Sequence, residues 1–245
     1  MKEVTDFKAL SKEIMKYFKR GVITNSFLSP ESMKCEMKEG NLFYEPGEDF
    51  LEIFVKRNGF YRLYFYALND RVLFGNQVQK TVCDFSGDDH GILKNNGFLP
   101  YLLRVRLMCE QSELKKTKAE KGNLDDLEEI FALSESAFDR YSGYTPTEEE
   151  LKSDILKERV YIKRIDGEIA GFLRYAISGK TAEIKHLCVK AHFRRKGIAR
   201  LLVSMFLSEN EKSIVWTGAE NTAALELYQS MGFKKDGCKS TVYIK

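Results

Sequence analysis

Arg194-Arg195-Lys196-Gly197-Ile198-Ala199 lies between an alternating apolar run at Thr181 to Val189 and an amphipathic run at Gly197 to Leu207. A strand that passes through such a stretch into a helix leaves unpaired N–H groups and the positive end of the helix dipole facing outward, where an anion binds best. Gly197 has no Cβ to keep phosphate oxygens away, and three basic side chains add charge. In the helix that follows, Ile198, Leu201, Leu202, Met205 and Phe206 share one face. Working outward, the pattern predicts a helix at Asp125 to Phe138, capped by Asn123 or Asp125. A second helix, Glu148 to Lys157, opens on the capping box that starts at Thr147. Val160 to Ile165 and Ile169 to Ile177 flank Asp166-Gly167 as a hairpin, and strand Ile214 to Thr217, helix Thr222 to Ser230 and strand Thr241 to Ile244 close the chain.

The first half has a different texture. Phe7, Leu10, Ile14, Met15 and Phe18 mark one helix, and from Met33 to Leu68 short aromatic runs broken by turn pairs predict antiparallel strands, with Asn58-Gly59 as a hairpin turn. A strand at Val82 to Phe85, a short helix near Asp89 to Lys94 and a strand at Tyr101 to Met108 complete it. The charged stretch Glu113 to Lys121 reads as a linker, which divides the chain into residues 1–112 and 113–245. Helices and strands alternating around a mixed sheet make the class α+β, with a parallel element in the second half.

Composition bounds the function. With 245 residues, 43% hydrophobic and 31% charged, the chain is too apolar for disorder, and none of its apolar stretches approaches the ~20 residues of a bilayer helix. Its opening carries Lys8, Lys12, Lys16 and Lys19 on an amphipathic pattern rather than the apolar core of a signal peptide, so a cytoplasmic protein with no membrane partner is expected. Five scattered cysteines without a C-x-x-C pair read as reduced thiols. A net charge of +3 does not argue for nucleic acid, and three histidines without ligand-spaced neighbours do not argue for a metal.

A second motif, Asn221-x-x-Ala224-x-x-Leu227-Tyr228-x-x-Met231-Gly232-Phe233, follows the first at a telling distance. Together they resemble the GNAT acetyltransferase superfamily over roughly Leu114 to Lys245, although Ala191 stands where a proline is common and Ala199 replaces the last glycine of the phosphate motif. The resemblance implies a GNAT fold there, with acetyl-coenzyme A as cosubstrate and no metal. It also implies that backbone N–H groups of Arg195, Lys196, Gly197, Ile198 and Ala199 hold the pyrophosphate, with Arg194 filling the first motif position. Leu187, Cys188 and Val189 would pair with the pantetheine through their main chain, Val189 N–H facing the thioester carbonyl, and Asn221 would bind the arm from the other side.

Attack of an amine on a thioester needs a base, because an alkylamine is almost wholly protonated at neutral pH. Glu183 is the candidate, acting through water; as a purely structural group it would instead pair with Lys185. Tyr228 matches the family tyrosine that protonates the departing sulfur; its alternative is a core aromatic. His186 is sent by strand alternation to the face opposite Leu187, the Cys188 thiol reads as a buried small hydrophobe, and Trp216 either lines the acyl pocket or packs in the core.

The first half also resembles the second. Val55 to Gly59 matches Ile162 to Gly167, and Ile92-Leu93-x-x-x-Gly97-Phe98 matches Leu227-Tyr228-x-x-x-Gly232-Phe233, with Leu93 at the place of Tyr228 and Ser86 at that of Asn221. No phosphate motif occurs there. The expectation is therefore a smaller, degenerate GNAT-like domain beside an N-acetyltransferase that acts by direct transfer on a small-molecule or peptide primary amine, as monomer or homodimer. The competing expectation is a non-catalytic acyl-coenzyme A sensor or interaction module on the same fold.

Overall fold

The computed structural model describes residues 1–18, 21–26, 28–74, 80–89, 91–110, 120–141 and 145–245. The linker expected at Glu113 to Lys121, including the cut at 112/113, lies outside them except for its last two residues. The chain divides into two compact units, one made of Met1–Leu103 with Lys239–Lys245 and the other of Arg104–Cys238.

Unit 1 begins with β1 (Lys2–Glu3), α1 (Phe7–Tyr17), β2 (Ile23–Thr24) and α2 (Pro30–Lys38). Strands β3 (Leu42–Pro46), β4 (Phe50–Arg57), β5 (Phe60–Ala67) and β6 (Thr81–Ser86) follow, then helix α3 (Ile92–Asn95) and strand β7 (Leu99–Glu110). Residues Arg104 to Glu110 of β7 belong to unit 2. Strand order is β1-β3-β4-β5-β6, and beyond β6 comes the end of the chain's last strand, Ser240 to Ile244 pairing with Ser86 to Val82. All neighbours are antiparallel except β5 and β6. α2 replaces strand where the aromatic pattern from Met33 had predicted one. Ser29 caps it by accepting from Ser32 N–H at 3.1 Å, and Pro30 occupies the first turn, where its missing N–H costs nothing.

Unit 2 contains β8 (Glu120–Lys121), α4 (Leu127–Ala137) and α5 (Glu148–Leu156). Then come β9 (Val160–Ile165), β10 (Glu168–Ser178), β11 (Thr181–Val189), α6 (Ile198–Glu209), β12 (Lys212–Gly218), α7 (Thr222–Ser230) and β13 (Lys234–Ile244), whose last residues belong to unit 1. The capping box at Thr147 is formed: Glu150 N–H donates to Thr147 Oγ1 at 3.2 Å and Thr147 N–H to Glu150 Oε2 at 3.0 Å. Asp166 and Gly167 both adopt positive φ, as a tight hairpin turn requires. Strand order is β7-β12-β11-β10-β9-β8, antiparallel throughout except for β11 and β12. On one face α6 and α7 bury Leu202, Phe206 and Tyr228; on the other α4 and α5 bury Ile130, Leu151 and Ile155 against Phe172.

The units therefore share a strand order, β1-β3-β4-β5-β6 matching β8-β9-β10-β11-β12, with the single parallel pair last in each. This shifts the internal repeat by one hairpin. The Asn58-Gly59 turn joins β4 to β5 and so corresponds to the turn after Ser178, between β10 and β11, rather than to Asp166-Gly167. The other correspondence holds in detail: Phe98 N–H donates to Leu93 O and Phe233 N–H to Tyr228 O, each at 3.0 Å, with Gly97 and Gly232 in the left-handed region. Ser86 does not stand for Asn221, because it ends β6, while Asp89 caps the short α3 by accepting from Gly91 and Leu93.

Candidate active site

The site develops from the one parallel ladder of unit 2. β11 and β12 pair only over Ala182↔Ser213, Glu183↔Ile214 and Ile184↔Val215, although β11 runs on to Val189 and β12 to Gly218. Beyond Ile184 the strands separate, and among the described residues no strand lies against that side of Lys185 to Val189. An extended ligand can use these main-chain groups as a further strand would. In open sheets such a crevice at the carboxyl ends of parallel strands is where ligands bind.

A β-bulge sets the faces at this point. The register of β10 on β11 shifts between Arg174↔His186 and Tyr175↔Ile184, leaving Lys185 as the extra residue. Ala182 and Ile184 consequently face the α6 core before the bulge, while Leu187 and Val189 do so after it; Cys188 faces α4 and α5. Burial raises the Cys188 thiol above its usual range, with Arg194 and Lys190 pulling the other way, so it stays protonated. His186 lies on the face opposite Leu187 and is buried, with its ring 4.7 Å from Phe138 and Nδ1 3.3 Å from Arg174. Arg174 in turn donates from Nε to Asp154 at 2.6 Å.

At the end of β11 the chain makes one short turn, Ala191–Phe193, and enters the basic loop. Arg194, Arg195, Lys196 and Gly197 are all exposed. Arg194 Nε donates to Val189 O at 3.1 Å, tying the loop back to the strand, and Lys196 Nζ lies 5.3 Å over the Phe193 ring. Arg195 at φ +63° and Gly197 at φ +79° turn the backbone so that α6 starts without a side-chain cap. A Cβ built on Gly197 meets nothing within 4 Å. Ile198 buries its side chain beneath the start of the helix, and Ala199 is half-buried. The result is an open cradle of main-chain donors and positive charge, which suits a phosphate group.

Asn221 sits just past the carboxyl end of β12, where its Oδ1 accepts from Ala224 N–H at 3.1 Å and caps α7, leaving the amide NH2 as donor. Tyr228, two turns further along α7, is buried and packs edge-on against Phe233 at 5.4 Å. Burial pushes its phenol well above the ordinary tyrosine range, so it carries its proton throughout physiological pH. Glu183 lies on the other face of the sheet, with its carboxylate 2.8 Å from Lys185 Nζ. Register places Ile214, Trp216, Met108 and Arg106 on that same face, all partly exposed, and Arg106 stands 5.6 Å over the Trp216 ring. Trp216 is thus not core; it borders Glu183 on a half-open floor.

Gly171 was not singled out from sequence. It pairs with Val189, and an added Cβ would lie 2.6 Å from Cys188 O, 3.1 Å from Val189 Cγ2 and 3.3 Å from Ile198 Cγ2. It lets β10, the end of β11 and the first residue of α6 converge. A glycine inside an apolar strand was the available signal. Among the described residues no group of three or more His, Cys, Asp or Glu could hold a metal ion, and no helix is long and apolar enough to cross a membrane.

Residues 124–233 match the acetyltransferase (GNAT) family. This stretch is a GNAT acetyltransferase domain. The GNAT fold recurs in solved structures that take in both units. An acetyltransferase from the GNAT family from Colwellia psychrerythraea is 12% identical at a TM-score of 0.59, covering 98% of this chain and 97% of that one. A GCN5-related N-acetyltransferase from Sphaerobacter thermophilus is 12% identical at 0.58, covering 89% and 86%. At such identities they speak for fold alone. No curated protein matches the sequence. Within the GNAT domain, the cradle, the open ladder, Asn221 and Tyr228 all fall inside the matched residues.

Proposed function

We propose that the protein is an acetyl-coenzyme A dependent N-acetyltransferase with one active site, in unit 2, that transfers acetyl directly to a primary amine of a small molecule or peptide. The observation that carries this reading is continuity: the ladder that opens after Ile184 leads straight into the uncapped start of α6. A coenzyme A molecule presents a pyrophosphate and an extended amide-bearing arm, and the residues present fit both. The cradle at Arg195 to Ala199 takes the anion, and the main chain of Leu187, Cys188 and Val189 takes the arm, with Asn221 donating from the β12 side.

Bound acetyl-coenzyme A supplies an acyl group activated as a thioester. Val189 N–H donates to the acyl oxygen and stabilises the charge that develops on it. Glu183, through water, takes the proton from the attacking nitrogen, and Tyr228 O–H gives its proton to the departing sulfur. Ile214, Trp216 and Met108 offer apolar surface beside Glu183 for the body of the acceptor. Five free thiols fit a reducing, cytoplasmic setting. The reading as an acyl-coenzyme A binding module without chemistry draws on two observations: Glu183 is engaged by Lys185, and Tyr228 is buried.

Calorimetric titration of acetyl-coenzyme A and free coenzyme A into wild type and Gly197→Glu tests the site. At φ +79° any side chain is strained, and a carboxylate in the cradle repels phosphate. Micromolar binding that the variant loses is the expected result; no binding by wild type would refute the proposal.

A further inference from the structure

Unit 1 contains the same kind of opening. β5 and β6 pair in parallel over Tyr61↔Thr81, Arg62↔Val82 and Leu63↔Cys83, and there the ladder stops, three pairs long as in unit 2. Here the gap is filled from within the unit. Phe65 N–H donates to Asn25 Oδ1 at 2.8 Å, and Phe65 C=O accepts from Thr24 Oγ1 at 2.5 Å. Asn25 Nδ2 reaches Leu63 O on β5 and Asp84 O on β6, each at 2.9 Å, and contacts Cys83 Sγ at 3.1 Å. One carboxamide, 2% exposed, therefore spans both diverging strands. Just before it, Ile23 and Thr24 pair with Ala67 and Tyr66 as an added antiparallel strand.

We infer that the segment Ile23 to Asn25 is a built-in occupant of a cleft of the cofactor-binding kind, closing unit 1 to coenzyme A and leaving one coenzyme per chain, in unit 2. The inference about coenzyme number rests on the function proposed above; the plug itself rests on these hydrogen bonds. The segment does for β5 what an extended amide arm would do for β11: it satisfies main-chain groups that the parting strands leave exposed. A polar side chain is needed because an apolar one would bury the Phe65 N–H without the acceptor that Asn25 Oδ1 gives it. The region after β5 agrees with this, since residues 68–74 form no helix where unit 2 has the cradle and α6. A cleft without a phosphate site could not hold the coenzyme firmly, and filling it with chain removes an open sheet edge.

The test is residue-resolved amide exchange on the full chain without ligand, followed by native mass spectrometry with coenzyme A. In wild type the Phe65 amide is expected to be protected like the paired amides of β4 and β5. Asn25→Ala should speed its exchange roughly ten- to hundredfold, the loss of a buried hydrogen bond, with β9 and β10 unaffected. Should that variant fail to fold, the wild-type rate still decides. One coenzyme per chain is expected. A Phe65 amide that exchanges at the unprotected rate in wild type, or a second coenzyme whose binding shifts the Asn25 and Phe65 signals, would overturn the inference. Failure of coenzyme A to bind at all would refute the proposed function, whereas a protected Phe65 amide would still uphold the plug.

Discussion

One methyl group at Gly171, a residue with no assigned contact to the cofactor, should damage cofactor binding through the residues it crowds. In Gly171→Ala the new Cβ meets Cys188 O at 2.6 Å, a backbone atom that no rotamer change can move, and Val189 and Ile198 side chains crowd it further. Overpacking of this kind costs about 1–3 kcal/mol. In a chain of this size each kcal/mol lowers the melting temperature by about 2–4 °C, so a fall of roughly 2–12 °C is expected. Relief must come from the end of β11 or the start of α6, and both carry main-chain groups assigned to coenzyme A. Misaligning one hydrogen bond there should weaken affinity about tenfold, or ~1.4 kcal/mol. Gly179→Ala is the control: at φ +58° with open space around its Cβ, it costs ~1–2 kcal/mol of strain at the far end of β11. Melting and calorimetric titration on both variants separate the effects. Wild-type affinity in Gly171→Ala, or an equal loss in Gly179→Ala, would refute the reasoning.

Glu183→Gln should lower kcat by about 10²-fold or more while leaving coenzyme A affinity unchanged, as steady-state rates and titration would reveal. Tyr228 makes stability fall in alkali. Its phenol is held above the ordinary value of 10.0, so above pH ~10 the unfolded chain releases a proton that the folded chain keeps, at a cost of up to about 1.4 kcal/mol per pH unit. Denaturant melts from pH 9 to 11 should show a shallower decline in Tyr228→Phe; identical slopes would mean that the phenol is not shielded. Asp154→Ala strands the buried Arg174 guanidinium and should cost about 3–5 kcal/mol in urea unfolding, and a loss below 1 kcal/mol would show that solvent reaches the pair.

What could be read from the residues was what local chemistry specifies. Thr147 and Glu150 announce their helix, Asp166-Gly167 announces its turn, and Gly197 beside basic residues announces the cradle, because each works within a few positions of itself. The misreadings have non-local causes. The Ser29-Pro30 start of α2 was a usable signal, yet the aromatic pattern further on outweighed it. β2 is two residues long and exists only through Tyr66 and Ala67, so nothing at Ile23 and Thr24 marks it. Nothing local marks Asn25 either, whose role exists only where two parting strands close around it. Turn chemistry equated Asn58-Gly59 with Asp166-Gly167, whereas the parallel pairs place the correspondence one hairpin later. The bulge at Lys185 is equally silent, and with it the change of face that puts Leu187, and not Cys188, on the side of Ile184. For the candidate site, motif positions were legible, but the floor of Ile214, Trp216 and Met108 beside Glu183 depends on register between three strands.

Thiol release from acetyl-coenzyme A across a panel of primary amines, wild type beside Tyr228→Phe, tests the assignment of catalysis to unit 2 most directly. Amine-dependent release, one thiol per acetylated amine, should fall by about 10²-fold or more in the variant. Tight coenzyme A binding with no amine-dependent release from any member of the panel would contradict it and leave unit 2 as a binding module.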